Sequence, residues 1–281
     1  MTTQSYDTGV IETAANAYAF IQPNGATNAG FIVGEEGIIV IDSLMTPSLA
    51  TRLLSEIRSI SKAPIRYLVD THYHGDHVFG NQYFVPAPII GHENCRTELI
   101  EKFDANMNRY TSGRPELNPE LSQIRMTLPD VTFSDRMDLR LGDREINMIY
   151  LGRAHSAGDI LLHLPQDGVL YAGDIAFHRV LPAFPDGHIT KWMDVMDKTR
   201  EIDFETIVPG HGPVGTKKDF DEARELMAHL HGEIRKGFDA GKSEDETASE
   251  VKLGKFTEYL GQDRIGLITN MAYRAYRGDL E

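Results

Sequence analysis

The chain has 281 residues and 41% hydrophobic content, enough to bury a substantial core as one large domain or two small ones. Its 42 acidic against 28 basic residues leave a net charge of -14, so a polyanion such as RNA or DNA meets overall repulsion and no nucleic-acid partner is expected. The single cysteine, Cys95, excludes an intrachain disulfide and any multi-cysteine metal site, leaving nitrogen and oxygen to hold any metal.

The first twenty residues have no basic segment followed by an apolar run, and nothing approaches the roughly 18 apolar residues of a membrane span. The expected location is therefore cytoplasmic, with no membrane partner. "AYAFIQ" and "NAGFIVGEEGIIVID" read as strands, with Gly34 to Gly37 as a hairpin turn. Thr46 before Pro47, followed by Leu49, Leu53, Ile57 and Ile60, predicts a helix over 47–61. "IRYLVD", residues 65–70, is a short strand, which puts the histidine-rich "VDTHYHGDHVFGN" on the loop where it ends. Residues 99–130 lack a clean period and carry Pro115, Pro119 and Pro129; they read as a helical or looped insertion that could lie over a pocket as a lid. A hairpin follows around Gly142 and Asp143, then the strands "DILLHLP" and "GVLYAGD", a helix over 188–200 and the strand "ETIVPGHG". From 217 the spacing of Phe220, Ala223, Met227, Leu230 and Ile234 is helical, Ser243 and Glu246 form a capping box, and 265–277 makes a last helix. The chain thus divides into a main body, 1–216, and a helical extension, 217–281, packed on it. The extension could roof a pocket or form a homo-oligomer surface.

Four metal-capable side chains crowd into six positions: His72, His74, Asp76 and His77. Neutral imidazoles and carboxylates are good ligands for zinc, and a divalent cation replaces their mutual repulsion with shared attraction. The His72-x-His74 spacing lets two side chains point the same way, while Asp76 and His77 can diverge toward a second centre. Three glycine-containing turns offer more ligands: His155 in "LGRAHSAGD", Asp174 in "LYAGD" and His211 in "IVPGHG".

This ordered set, "HYHGDH" with a later histidine, an aspartate in "GD" and a final histidine in "GH", resembles the metal motifs of the metallo-β-lactamase-fold hydrolases. The resemblance covers roughly residues 8–215 and includes "IIVIDS". It implies an α/β fold, a four-layer αββα sandwich with metals at one edge of the two sheets. Carried over residue by residue, it implies that His72, His74 and His155 hold a first metal. Asp76, His77 and His211 would hold a second, with Asp174 bridging both. The ligand set is like that of glyoxalase II or the lactonases; many β-lactamases of this fold place cysteine or serine where Asp174 stands, and "PGHGPVG" departs from the "PGHEYT"-like run of glyoxalase II.

The expected cofactors are two divalent metal ions per chain, zinc first, with iron or manganese as substitutes. The expected activity is zinc-dependent hydrolysis of a small molecule: a metal-bridging hydroxide, formed from a water that Asp76 orients and deprotonates, attacks an acyl bond of an ester, thioester, lactone or β-lactam amide. A phosphodiesterase or nuclease of the same fold and a non-catalytic metal-binding module are the alternatives. "FHRVLPAFPDGH" follows Asp174 directly and offers His178, Phe184 and His188 as pocket-lining residues, while Asp42 or Asp70 could support the ligating histidines. His92, His163, His229 and His231 are read as structural, Asp159 as a turn residue, Cys95 as an inert apolar residue, and Trp192 as core or pocket wall.

Overall fold

A computed structural model describes residues 6–182 and 185–280 of the chain. Its strands form two sheets. The first contains, in spatial order, β1 (Gly9–Ala14), β2 (Ala17–Ile21), β3 (Ala29–Gly34), β4 (Gly37–Ile41), β5 (Ile65–Val69), β6 (Ile89–His92) and β7 (Val131–Phe133). Its first four strands are an antiparallel meander and the rest run parallel from β4 onward. The second sheet runs β13 (Gly215–Thr216), β12 (Thr206–His211), β11 (Val169–Phe177), β10 (Ile160–Leu164), β9 (Arg144–Tyr150) and β8 (Arg136–Leu141). Helices α1 (Pro47–Ile60), α2 (Gly75–Val78), α3 (Glu93–Gly113) and α4 (Asn118–Leu121) belong to the first half of the chain. Helices α5 (Ile189–Thr199), α6 (Lys217–Asp239), α7 (Glu244–Glu250) and α8 (Ile265–Arg277) follow.

Period-two alternation in the strands builds the layers. In β4, Ile38 and Val40 face α1 together with Ala50, Leu53 and Ile57, while Ile39 and Ile41 face the other sheet. In β11, Val169 and Tyr171 join that same inter-sheet core, whereas Leu170 and Ala172 pack on Trp192 of α5 and Phe220 of α6. Each sheet is thus covered by helices on its outer face and by its partner on its inner one, the αββα sandwich that the motif resemblance implied.

Local signals agree with these layers. The Thr46 hydroxyl accepts the Leu49 N–H at 3.3 Å with Pro47 in the first turn of α1. Ser243 and Glu246 cap each other at the start of α7, and Thr216 with Asp219 does the same for α6. Residues of α6 and α8 share one apolar cluster with β11 and α5, including Leu230, Ile234, Ile268 and Met271. The C-terminal helices are therefore packed into the outer face of the second sheet.

Candidate metal centre

The ligand-rich residues gather at one edge of the sandwich. His72 and His74 lie just past β5, and Asp76 and His77 sit in the short helix α2, where the sequence predicts only a loop. His155 is in the connection between β9 and β10, and His211 ends β12. Asp174 lies within β11 rather than at its end, because pairing between β11 and β12 is irregular on both sides of Gly173. Such a break re-aims a strand side chain. Opposite it, Gly210 leaves room that no other residue would: a Cβ there would stand 1.9 Å from Asp174 Oδ1.

Two clusters result. His74 Nδ1 lies 3.1 Å from His72 Nε2 and 2.7 Å from His155 Nε2, and Asp174 Oδ2 is 3.0 Å from His155 Nε2. In the second, His211 Nε2 lies 3.5 Å from Asp76 Oδ2 and 3.4 Å from Asp174 Oδ2, and His77 Nε2 lies 3.2 Å from Asp174 Oδ1. All ligand atoms within each group are within 4.8 Å of one another. Tetrahedral zinc places its ligand atoms roughly 3.4 Å apart, given metal–ligand bonds of about 2.0–2.1 Å. The observed separations bracket that value. His77 Nε2 and Asp174 Oδ1 are buried without a hydrogen-bond partner despite their proximity, as donor atoms of a shared cation would be. All seven residues predicted from the sequence therefore converge, and their donor chemistry suits two divalent ions.

The remaining atoms of the ligands are held from behind. Asp42 Oδ2 lies 2.7 Å from His77 Nδ1, and Asp42 itself accepts the backbone N–H and hydroxyl of Thr71, each at 2.8 Å. Asp42 has φ +60°, a left-handed conformation uncommon outside glycine, and these bonds hold it there. His211 Nδ1 donates to the Gly25 carbonyl at 2.9 Å, leaving Nε2 aimed at the cluster. The His155 ring meets the buried Trp192 edge-on at 5.2 Å, and Trp192 donates to the Ile175 carbonyl. Asp70, the other residue expected in a supporting role, instead accepts from Asn81 at 2.8 Å, and burial pushes its carboxyl well above the usual range.

Asp76 carries two neutral hydroxyl donors. Thr27 donates to Oδ2 at 2.6 Å and Tyr110, from α3, donates to Oδ1 at 2.5 Å. The Arg109 guanidinium lies 4.9 Å over the Tyr110 ring. Neither Thr27 nor Tyr110 stood out in the sequence, because neither lies in a motif and each reaches Asp76 only through the fold.

Charge is divided unevenly between the clusters. Burial and the neighbouring His155 push His74 down to about 3, and burial together with His77 lowers His72 well below the ordinary histidine range. Burial alone would also depress His211, but Asp174 and Asp76 outweigh it and push it up to about 9. His77 is likewise raised by Asp174 and Asp42 against its burial. Asp76 and Asp174, which burial would raise, are held well below the carboxylate range by the imidazoles around them. Without metal, His72 and His74 are thus neutral imidazoles, and His77 and His211 form imidazolium–carboxylate pairs whose protons a cation would displace.

A cavity of about 580 Å³ opens onto His74, Asp76, His155, Asp174 and His211. Both late-appearing elements cover it: Arg109, Tyr110, Arg114 and Leu117 from the α3 region, and Arg264 and Leu267 from the C-terminal helices. His178 and His188 do not line it. The His178 ring lies 2.9 Å from the Pro213 carbonyl, and His188 accepts the Lys191 N–H at the start of α5. Phe184 lies outside the described residues. His92, His163, His229 and His231 are away from the clusters, with ring nitrogens of the first three at the carbonyls of Ser134, Asp203 and Lys252. Cys95 is buried.

An αββα fold with seven imidazole and carboxylate side chains converging at one sheet edge defines a class of protein built to hold metal ions there. Residues 23–211 match the family model of the metallo-beta-lactamase superfamily, and the chain belongs to that superfamily. It is 24% identical over 291 residues to a linear primary-alkylsulfatase of Pseudomonas sp. (strain ATCC 19151), covering 89% of this chain and 55% of that protein. It is 23% identical over 188 residues to the metallo-beta-lactamase type 2 of Bacillus cereus, covering 65% of each. Among solved structures, the stereoselective inverting sec-alkylsulfatase Pisa1 from Pseudomonas sp. superposes with a TM-score of 0.74 at 17% identity, over 96% of this chain and 50% of that one. A metallo-beta-lactamase from Pontibacter korlensis gives 0.62 at 18% identity, over 79% and 99%. The chain spans about half the length of the alkylsulfatases it matches.

Proposed function

We propose that this protein is a metal-dependent hydrolase acting on a small molecule through two divalent cations, zinc by preference of the nitrogen and oxygen donors, with iron or manganese as substitutes. The observation that carries the reading is the division of one carboxylate between two clusters: Asp174 turns Oδ1 toward His77 and Oδ2 toward His155 and His211. His72, His74 and His155 would hold one cation, Asp76, His77 and His211 the other, and Asp174 both. When bound, such a pair supplies a nucleophilic hydroxide near neutral pH and polarises the bond to be cleaved.

The chain's own residues then orient and shield. Asp76 is the residue proposed to orient the attacking water. The imidazoles of His77 and His211 keep it ionised, and hydroxyl donors on both of its oxygens fix its orientation. Asp42 and the Gly25 carbonyl fix the rings of His77 and His211, and α3 and α8 wall the cavity from bulk water. The cavity volume suits a small-molecule substrate.

The bond cleaved is, on this reading, an acyl bond of an ester, thioester, lactone or β-lactam amide. The match to an alkylsulfatase over 89% of the chain favours a second reading, in which the bond is that of a sulfate ester. The test is to load the protein with zinc, count metals per chain, and screen aryl esters, thioesters, lactones, cephalosporins, alkyl sulfates and phosphodiesters in parallel. Turnover of an ester class with two zinc ions per chain supports the proposal. Cleavage of phosphodiesters alone favours a nuclease-like enzyme, and full metal loading without turnover favours a non-catalytic metal-binding protein. No helix among the described residues is long and apolar enough to cross a membrane. A cytoplasmic location and a homo-oligomeric state are proposals to be tested by fractionation and light scattering.

A further inference from the structure

Three arginines face the cavity at the metal centre of a chain whose net charge is -14. Arg109 and Arg114 come from the end of α3, and Arg264 stands in the turn before α8. Some arginines elsewhere are matched to carboxylates, as Arg144 is to Asp167, Arg200 to Asp221, Arg224 to Asp197 and Arg277 to Glu244, while others, such as Arg58, Arg96 and Arg274, donate to backbone carbonyls on the protein body. Two of the three at the cavity donate to neutral partners: Arg109 to Asn106 and the Tyr110 hydroxyl, and Arg264 to the Leu181 carbonyl at 2.8 Å. The Glu120 carboxylate at the same cavity already accepts the Ser48 N–H at 2.8 Å. Burial depresses Arg264, the carboxylates of Asp263, Asp76 and Asp174 act in the opposite sense, and Arg114 adds to the depression. Arg264 therefore lies in electrostatic reach of both the proposed ligand carboxylates and Arg114. Guanidinium groups converging on a semi-enclosed cavity, with donors turned to it, suit an anion.

The same cavity has an apolar side made by Met45, Leu49, Leu117 and Leu267, and Leu267 is 40% exposed. An apolar residue left this open on a cavity wall gains by contact with a ligand's hydrocarbon. We propose that the substrate is a small anionic amphiphile: a single sulfate or carboxylate held by Arg114 and Arg264, with Arg109 alongside, on an alkyl chain lying against the apolar wall. This rests on the hydrolase reading only in taking the cavity for the substrate site. The net charge of the chain repels a polyanion, while a singly charged head group meets the local cations at short range.

The test uses the zinc-loaded full chain and calorimetric binding of octanesulfonate, with octanol as the neutral control. Zinc itself attracts anions, so the arginines decide the matter. Arg114→Gln and Arg264→Gln are each expected to weaken octanesulfonate about tenfold, the loss of one charge-assisted contact, with zinc content and octanol binding unchanged. Arg264→Gln also removes the bond to Leu181, so Arg114→Gln, at an exposed position, guards against a folding defect. Octanesulfonate binding that neither substitution alters overturns the proposal.

Turnover locates the charge. Octyl sulfate, hydrolysed with one water to octanol and hydrogensulfate, carries the anion at the scissile bond. The p-nitrophenyl monoester of suberic acid, hydrolysed to suberate and p-nitrophenol, carries it at the far end. Either exceeding neutral p-nitrophenyl octanoate in kcat/KM supports the proposal and says which end the arginines hold; a neutral ester preferred over both contradicts it. Arginine-dependent sulfonate binding with no ester turned over would leave the receptor standing and defeat the hydrolase reading.

Discussion

Replacing Tyr110 by phenylalanine tests how far α3 participates in the metal centre. The substitution removes one oxygen, the donor to Asp76 Oδ1 at 2.5 Å, and leaves the ring to pack edge-on against Phe79 at 5.8 Å between centroids. A hydrogen bond to a charged acceptor contributes about 1.5–3 kcal/mol. Asp76 keeps the Thr27 hydroxyl on its other oxygen, and its side chain is 14% exposed, so water can recover part of the loss. The lower end of the range therefore applies, about 1.5 kcal/mol, or roughly a tenfold weaker grip on the cation at Asp76, His77 and His211. This is within the range found when outer partners of metal ligands are removed. Competition with a chromophoric chelator resolves the two zinc ions, and a thermal melt of the metal-free protein checks the fold. One zinc weakened tenfold and the other unchanged is the expected result. Both retained within a factor of two would refute the idea that α3 holds Asp76 in place.

Three further outcomes are expected. Asp174→Ala should lose the second zinc and most turnover while circular dichroism stays near that of the parent, and full activity would reject the bridging role. Gly210→Ala, whose new methyl would stand 1.9 Å from Asp174 Oδ1, should also lower zinc stoichiometry, as read by elemental analysis. The raised pKa of His211, about 9 against an ordinary 6.5, makes the metal-free protein respond to alkali: the stabilisation is complete below about 6.5 and disappears as pH rises through about 9. Zinc displaces the same proton, so affinity at the second site should climb over that interval while metal-free thermal stability falls, and a zinc affinity flat with pH would contradict the assignment.

How much of this was legible in the chain depends on where each signal lies. Short continuous apolar runs, as in "GIIVI" and "VLYAGD", mark strands buried on both faces, and Thr46-Pro47 and Ser243-x-x-Glu246 mark helix starts, so the layers follow from local chemistry. The proposed metal ligands were legible because four fall within six positions and the other three stand beside glycines in or next to strands. Thr27, Tyr110, Arg114 and Arg264 were not, since they reach the site from separate elements and no local pattern says which face of α3 or which end of α8 meets the cavity. Nearness in sequence misled for His178 and His188: the chain after Asp174 turns its imidazoles toward Pro213 and the start of α5. Asp42 and Asp70 both follow strands, and only the left-handed turn at Asp42 aims a carboxylate at His77.

Anomalous diffraction at the zinc edge from crystals of the zinc-loaded protein bears most directly on the two-metal centre. Two peaks are predicted, one among His72, His74 and His155 and one among Asp76, His77 and His211, with Asp174 adjoining both. A single peak, or zinc bound elsewhere while these seven side chains stay as they are, would contradict it.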